Sequence, residues 1–213
     1  MPTLQITEIF YSLQGESRST GFPTTFIRLT GCPLRCQYCD TKYAFTGGKT
    51  LTLNKILATV SQYQTKYITV TGGEPLAQKQ SLTLLTKLCD LGYEVSLETS
   101  GAISLANVDN RVCIVMDLKT PASAEADKNL WSNLQYLKPN DQIKFVICDR
   151  DDYSWMKTIA DAYDLYHRCE ILISPSFGEI DYRKLADWIL EDQLPVRYQL
   201  QLHKLLWDDK PGH

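Results

Sequence analysis

The chain has 213 residues and a formal net charge of −3, with 44% hydrophobic and 22% charged residues, which is ordinary for a soluble globular protein. The absence of a dense Lys/Arg block argues against a dedicated nucleic-acid surface. The N-terminus lacks the pattern of a signal peptide, and no apolar run approaches the roughly 20 residues that cross a bilayer. We therefore expect one domain over residues 1–213, in the cytoplasm, without direct contact to nucleic acid or membrane.

Short β-rich runs alternate along the chain with longer helical stretches. The predicted strands are residues 25–29, 67–71, 93–98, 112–117, 142–148, 170–174 and 197–202. The predicted helices are residues 54–64, 80–91, 128–137, 153–166 and 182–191. Several strands are almost continuously apolar, as expected of parallel strands that are covered on both faces. The alternation indicates right-handed βαβ units, and the chain is short for a complete eight-stranded barrel. The sequence predicts an α/β fold, a partial (β/α) barrel of about six parallel strands.

Polar and unusual residues directly follow five of the predicted strands. They are residues 72–75 (GGEP), 99–101 (TSG), 117–119 (DLK), 174–176 (SPS) and 203–204 (HK). Because ligands bind at the carboxyl ends of strands in parallel α/β folds, we expect these five segments to converge on one binding site.

The cysteines are distributed unevenly. Three of the seven, Cys32, Cys36 and Cys39, form a C-x3-C-x2-C motif. The other four stand alone in apolar surroundings and are interpreted as small core residues, so no second cluster is predicted. Iron–sulfur clusters are usually held by four thiolates, and three without a fourth leave one iron open to another ligand. Zinc would need a fourth Cys or a His at motif spacing, although a remote histidine could still supply one.

The C-x3-C-x2-C motif and the sequence TGGEP at 71–75 resemble the radical S-adenosylmethionine (SAM) superfamily. The resemblance implies a 4Fe-4S cluster on the three cysteines and SAM on its open iron. Reductive cleavage of SAM would then give a 5′-deoxyadenosyl radical. It also implies that Glu74 contacts the amino group of the methionine moiety, while the glycines let the backbone approach a ligand closely.

Further segments are similar to the 7-carboxy-7-deazaguanine synthase family. These are residues 13–31, CPLRCQYCDT at 32–41, ETSG at 98–101, DLKTP at 117–121, SPS at 174–176 and QLHKLLW at 201–207. The resemblance covers nearly the whole chain. One departure is Ser17, where the family usually reads QGEG.

That family converts 6-carboxy-5,6,7,8-tetrahydropterin into 7-carboxy-7-deazaguanine with loss of ammonia, on the way to queuosine and related 7-deazapurines. It uses SAM catalytically and depends on Mg²⁺. The resemblance implies that Thr41 binds Mg²⁺, although the sequence alone favours a helix N-cap at this position. It implies no catalytic residue beyond the cofactor and metal ligands.

The resemblance also implies which residues hold the substrate, and the chemistry of some of these residues suits that role. The carboxylate of Glu16 can accept paired N–H donors of the pterin, and Arg28, in an apolar strand, suits a substrate carboxylate or a structural ion pair. The predicted substrate residues are Leu13, Gln14, Gly15, Glu16, Arg28, Thr71 and His203. The predicted SAM-binding residues are Tyr38, Cys39, Asp40, Gly73, Glu74, Ser100, Asp117, Leu118, Lys119, Ser174, Pro175, Ser176 and Phe177.

Two alternatives remain open at this point, an activating enzyme for a glycyl-radical enzyme and a non-catalytic metal-binding module. An enzyme that modifies tRNA directly is disfavoured by the net charge. The expected partners are the small pterin substrate, a flavodoxin or ferredoxin as reductant, and a second copy of the chain in a homodimer.

Overall fold

The computed structural model describes the whole chain except Met1, Asp209, Pro211 and His213. The strands of the described part are β1 Thr3–Leu13, β2 Pro23–Leu29, β3 Lys49–Thr52, β4 Tyr67–Gly72, β5 Glu94–Thr99, β6 Cys113–Asp117, β7 Gln142–Ile147, β8 Glu170–Pro175 and β9 Arg197–Tyr198. Its α-helices are α1 Leu53–Val60, α2 Gln80–Asp90, α3 Arg150–Ala162, α4 Tyr182–Glu191 and α5 Leu202–Trp207. None of these helices is long and apolar enough to span a membrane.

All the strands belong to one sheet, in the order β3-β1-β2-β4-β5-β6-β7-β8-β9. The seven strands from β2 and β4 to β9 run parallel to one another. The strands β1 and β3 extend the sheet antiparallel at one edge, and the sheet does not close. The predicted partial barrel of parallel strands is confirmed, with seven parallel strands where about six were expected. The strands β1 and β3 were not predicted.

The predicted helix at 128–137 is wrong. This segment forms two short 3₁₀ turns, Ala126–Lys128 and Trp131–Tyr136. The reason is the fully buried Asn133, whose side chain accepts from the Leu105 N–H and donates to the Gly101 and Ile103 carbonyls. Such bonds from an asparagine to remote backbone groups compete with the regular hydrogen bonds of a helix.

The two faces of the parallel strands differ in polarity. On β4, Ile68 and Val70 are fully buried in the hydrophobic core that also holds the apolar faces of α1 to α4. The alternating residue Thr71 instead lines a cavity on the other face of the sheet. On β7, Phe145 likewise enters the core, and Lys144 points into the cavity. Because successive side chains of a strand point to opposite faces, the sheet divides an apolar core from a polar concave surface.

The last predicted strand is shorter than expected. It was predicted to span residues 197–202 but contains only Arg197–Tyr198, and α5 begins at Leu202. The Gln199 N–H still donates to the Ile173 carbonyl of β8 at 2.9 Å. Its side chain accepts from the Ser17 N–H and donates to the Ser17 carbonyl and the Thr20 hydroxyl. The end of β9 is therefore tied to the loop between β1 and β2.

Ser17 occupies a backbone conformation that suits glycine. Its φ is 65°, in the left-handed region, and its side chain is buried. The 7-carboxy-7-deazaguanine synthase family usually has glycine at this position, and glycine adopts positive φ at no steric cost. The serine hydroxyl lies 3.1 Å from the Ser19 hydroxyl, a contact that glycine would lose.

We expect Ser17→Gly to have a higher free energy of unfolding than Ser17→Ala, by about 1 kcal/mol, because alanine keeps the Cβ in the left-handed region. Both variants lack the hydroxyl, so the comparison isolates the backbone strain. Urea unfolding followed by circular dichroism measures the difference. Equal stability of the two variants would contradict the assignment of strain to Ser17.

Candidate functional site

A cavity of about 410 Å³ lies at the carboxyl ends of the parallel strands. This size is within the usual range for small-molecule sites. Most of the predicted site residues line it: Leu13, Gln14, Gly15, Glu16, Arg28, Cys32, Cys36, Tyr38, Cys39, Asp40, Thr41, Thr71, Gly73, Ser100, Asp117, Lys119, Ser176, Phe177 and His203. Four others do not: Glu74, Leu118, Ser174 and Pro175. All five predicted post-strand segments reach the cavity through at least one residue, although His203 does so from α5 and not from a strand end.

The loop of residues 30–41 contains the three cysteines and is called the cysteine loop below. It follows β2 and packs directly against the end of β4. The Glu74 N–H donates to the Gly31 carbonyl at 2.8 Å, and the Gly73 N–H donates to the Leu29 carbonyl at 3.1 Å. A Cβ atom at Gly73 would lie 2.3 Å from the Gly31 carbonyl oxygen, and one at Gly72 would lie equally close to the Leu29 oxygen. The two glycines are therefore needed for the contact with the cysteine loop, in addition to any approach by a ligand.

The three cysteines are free thiols that all line the cavity. Burial raises the pKa of each, that of Cys36 to about 11. A metal cluster would therefore displace thiol protons when it binds. Among the described residues, no three His, Cys, Asp or Glu side chains are grouped so that they could hold a single metal ion. In a 4Fe-4S cluster each thiolate binds a different iron, so the three sulfurs need not converge on one point. The donor set fits a cluster better than a zinc ion.

Glu74 is predicted to contact SAM but does not line the cavity. Its carboxylate is fully buried and accepts hydrogen bonds from the Leu76 N–H, the Thr99 hydroxyl, and the Ser100 N–H and hydroxyl, at 2.6–2.9 Å. Since Ser100 lines the cavity, the carboxylate positions a residue of the site, and its contact with SAM stays a prediction. Of the other predicted residues outside the cavity, Leu118 and Ser174 are almost fully buried, and Pro175 lines a separate small pocket.

One buried polar atom of a residue that lines the cavity, Oδ1 of Asp117, has no hydrogen-bond partner among the described residues. The other oxygen of Asp117 accepts from Lys119 Nζ at 2.9 Å. The hydroxyl of Tyr38, another lining residue, has Thr120 as its hydrogen-bonding neighbour. Buried polar atoms in proteins are nearly always hydrogen-bonded, so Oδ1 of Asp117 fits a bound ligand with polar groups of its own, such as the hydroxyl and amino groups of SAM.

Several cationic side chains line the cavity, and each forms an ion pair with a carboxylate. Lys144 contacts Glu16 at 2.6 Å, Lys204 contacts Asp40 at 3.1 Å, and Arg28 donates from Nε to Glu8 at 2.7 Å. The structural ion pair considered for Arg28 is therefore present, although Arg28 also lines the cavity. Burial opposes charge on Asp40, but the ammonium of Lys204 and the hydroxyl of Thr41 hold its pKa well below the usual range. The lowered pKa keeps Asp40 ionised at neutral pH.

Thr41 lines the cavity beside Asp40. Its hydroxyl donates to Asp40 Oδ1 at 2.8 Å. It occupies the N-cap position of a short 3₁₀ turn, Lys42–Ala44, as the sequence alone suggests, but its side chain makes no capping bond to that turn. The Thr41 side chain is therefore not used as a cap and lies at the cavity.

The segment from Gln199 to Lys204 closes the cavity against the loop between β1 and β2. The Leu202 N–H donates to the Gly15 carbonyl, and Gln201 Nε2 donates to Glu16 Oε1 at 2.6 Å. The ring of His203 packs so closely that a Cβ at Gly15 would lie 2.1 Å from its Nδ1. Burial lowers the pKa of His203, which favours the neutral imidazole.

Sequence reasoning gave no individual role to seven charged or polar residues that line the cavity, although Thr99 and Lys204 fall in segments expected to reach it. They are Gln37, Glu98, Thr99, Lys144, Glu179, Gln201 and Lys204. Burial, and then the nearby charge of Glu16, raises the pKa of Glu98, and Gln14 Nε2 donates to this carboxyl at 3.2 Å. The sequence does contain an indication that Lys144 is unusual. A lysine in the apolar strand QIKFVI is as unexpected as the arginine in FIRL.

Known proteins resemble this chain over nearly its whole length. Residues 26–113 match the radical SAM superfamily. The 7-carboxy-7-deazaguanine synthase of Chlorobaculum tepidum is 42% identical over 208 residues, covering 96% of this chain and 94% of that protein. The enzyme of the same name from Koribacter versatilis is 42% identical over 219 residues and covers 96% and 97%. The crystal structure of QueE from Escherichia coli matches with a TM-score of 0.79 at 22% identity, over 94% of this chain and 95% of that one. The curated relatives support a synthase over the activating-enzyme and non-catalytic alternatives.

We expect Glu74→Gln to lower the free energy of unfolding by about 1–3 kcal/mol, because its amide NH₂ would face hydrogen-bond donors that now meet carboxylate oxygens. The matched control is Glu94→Gln, which alters an exposed carboxylate on the neighbouring strand β5. Urea unfolding of the cluster-free protein gives both values. A loss in Glu74→Gln no larger than in the control would contradict the positioning role.

Proposed function

Since the chain belongs to the 7-carboxy-7-deazaguanine synthase family of radical SAM enzymes, we propose that it converts 6-carboxy-5,6,7,8-tetrahydropterin into 7-carboxy-7-deazaguanine with loss of ammonia. It is a radical SAM enzyme of 7-deazapurine biosynthesis. The observation that carries the substrate assignment is that one cavity is lined both by the three cysteines and by Gln14, Glu16, Arg28 and Thr71. A cluster with its cofactor and a pterin would therefore meet in the same space.

The cofactor side of the cavity is formed by the cysteine loop and the ends of β4 to β6. Cys32, Cys36 and Cys39 would hold the 4Fe-4S cluster, and the unpaired oxygen of Asp117 and the side chain of Tyr38 would contact SAM. Ser100, held by Glu74, would contact the methionine moiety. When bound, the cluster and SAM supply a 5′-deoxyadenosyl radical that removes a hydrogen atom from the substrate. The protein orients the reactants and excludes water.

The substrate side is formed by the loop after β1, the strand β2 and the C-terminal segment. Burial disfavours charge on Glu16, but the ammonium of Lys144 and the hydrogen bonds from Lys144 and Gln201 outweigh it and lower the pKa of this carboxyl. An ionised Glu16 is a suitable acceptor for the two adjacent N–H donors at the guanidine-like edge of a pterin. Arg28 uses Nε for Glu8, so its terminal amino groups would bind the substrate carboxylate.

A bound Mg²⁺ would fit beside the cysteine loop. Mg²⁺ often keeps several waters and binds through few protein groups together with the substrate. The oxygen of Thr41, at the cavity surface beside Asp40, would be its protein ligand. The family resemblance also supports a flavodoxin or ferredoxin as reductant, a homodimer and a cytoplasmic location.

The proposed function predicts that anaerobically reconstituted protein with a strong reductant, SAM and Mg²⁺ converts 6-carboxytetrahydropterin over multiple turnovers. The product, followed by mass spectrometry, should be lighter by ammonia, and SAM should not be consumed in matching amount. Cleavage of SAM to 5′-deoxyadenosine with the pterin untouched would refute the substrate assignment and keep only the superfamily.

The magnesium assignment predicts that Thr41→Ala loses most of its stimulation by Mg²⁺, with turnover reduced at least about tenfold, because the metal loses its protein ligand. Thr41→Ser keeps the hydroxyl and should keep the stimulation. Turnover is measured against Mg²⁺ concentration in chelator-treated buffer, with iron content as a control for the cluster. Equal responses of the two variants to Mg²⁺ would contradict the assignment.

A further inference from the structure

Lys144 is a buried lysine in the cavity for which the family resemblance predicts no role. It lies on β7, where Ile143 and Phe145 point into the core and Lys144 points to the concave face. Its side chain is 9% exposed, and its Nζ lies 2.6 Å from Oε2 of Glu16, whose side chain is 11% exposed. Burying an ammonium group is costly unless a partner compensates for the lost hydration. Its position therefore requires an explanation.

The carboxylate of Glu16 is fixed from several sides. Lys144 donates to Oε2, and Gln201 Nε2 donates to Oε1 at 2.6 Å. The N–H of Glu16 itself donates to the side-chain oxygen of Gln14 at 3.1 Å. Each carboxylate oxygen can accept a second hydrogen bond, so these contacts leave acceptor capacity for a ligand while they set the plane of the group.

The charged and polar groups around Glu16 come from three parts of the fold. Lys144 faces it from β7, Glu98 from β5, and Gln201 and His203 from the C-terminal segment. The contribution of His203 is small when its imidazole is neutral, as the lowered pKa of this residue favours. Although burial opposes charge on Lys144, attraction by Glu16 and Asp117 raises the pKa of its ammonium. Lys144 is therefore the permanent positive charge that offsets the repulsion between Glu16 and Glu98.

We propose that Lys144 is a positioning residue for substrate recognition, which holds Glu16 ionised and oriented toward the adjacent N–H donors of the substrate ring. It acts through Glu16 and not by contact with the reacting atoms. The inference rests on the proposed function, because it requires a substrate with paired N–H donors, such as the 2-amino-4-oxo edge of a pterin. It predicts a defect in substrate binding and not in the steps that follow.

The test compares Lys144→Met, Lys144→Arg, Glu16→Gln and the double variant K144M/E16Q in the reconstituted enzyme. For Lys144→Met the Michaelis constant for 6-carboxytetrahydropterin should rise about tenfold to a hundredfold, with kcat within about threefold of wild type, since a charge-assisted contact is lost before the chemistry begins. Lys144→Arg should restore most of the affinity. Iron content, SAM binding and thermal unfolding verify that each variant is folded and loaded.

The pH dependence separates this role from a merely structural one. Without its cation, Glu16 is buried beside Glu98, so its pKa rises and it binds a proton more readily as the pH falls. The Michaelis constant of Lys144→Met should therefore increase further at lower pH, an effect that Glu16→Gln and the double variant should lack. The infrared carbonyl band of protonated carboxylic acids should be stronger in Lys144→Met than in K144M/E16Q, where Glu16 cannot contribute to it, and this difference measures the same proton without turnover.

The double variant keeps the test valid if Lys144→Met does not fold, because it removes both charges together. Its Michaelis constant should lie within about threefold of that of Glu16→Gln, since the two residues act as one unit. A double variant tenfold worse than Glu16→Gln, or a Lys144→Met enzyme with an unchanged Michaelis constant, would overturn the role of Lys144. Failure of the wild-type enzyme to convert the pterin would instead overturn the proposed function.

Discussion

The need to compensate buried charge on the concave face of the sheet determines much of this structure. The alternation of side chains along β4 and β7 sends Val70 and Phe145 into the core and leaves Thr71 and Lys144 facing the cavity. A charge that leaves water in this way is stable only with a partner. The ion pairs Lys144–Glu16, Lys119–Asp117 and Lys204–Asp40 supply those partners, and each joins residues that a binding site for a polar substrate and cofactor can use.

The same contacts join distant parts of the chain. Glu16 comes from the loop after β1, Lys144 from β7, and Gln201 from the segment that follows β9. Gln199 binds Ser17 and Thr20 in that loop, and His203 packs against Gly15. On the opposite side, Gly72 and Gly73 let the cysteine loop approach β4, and Glu74 anchors Ser100. The proposed cofactor side and substrate side are therefore positioned by different sets of contacts around one cavity, and the Lys204–Asp40 ion pair connects them.

Much of this arrangement is predictable from sequence. The parallel strands, the cysteine motif and the post-strand segments are local patterns, and the structure brings them to one edge of the sheet. The predictions that were wrong concern elements that depend on contacts between residues distant in sequence. Asn133 replaces a predicted helix with 3₁₀ turns through bonds to residues 101–105, and the side chain of Gln199, just after β9, binds a loop 182 residues away in sequence. No local pattern reveals such partners.

At the functional site too, local sequence patterns were informative and contacts between distant residues were not predicted. Arg28 was recognised as a charge in an apolar strand, but its partner Glu8 lay on an unpredicted strand, and the equivalent signal at Lys144 was overlooked. Glu74 was expected to contact a ligand because its motif is familiar, whereas its burial and hydrogen bonds can only be seen in the fold. Sequence motifs thus identify which residues surround a site, and the fold determines which of them face it.

The most direct test of this account is a crystal structure of the anaerobically reconstituted protein with SAM and 6-carboxytetrahydropterin. The account predicts both molecules in the cavity at the carboxyl ends of the strands, with the carboxylate of Glu16 hydrogen-bonded to both Lys144 and the N–H donors of the pterin edge. A pterin bound elsewhere, or with that edge turned away from Glu16, would contradict it.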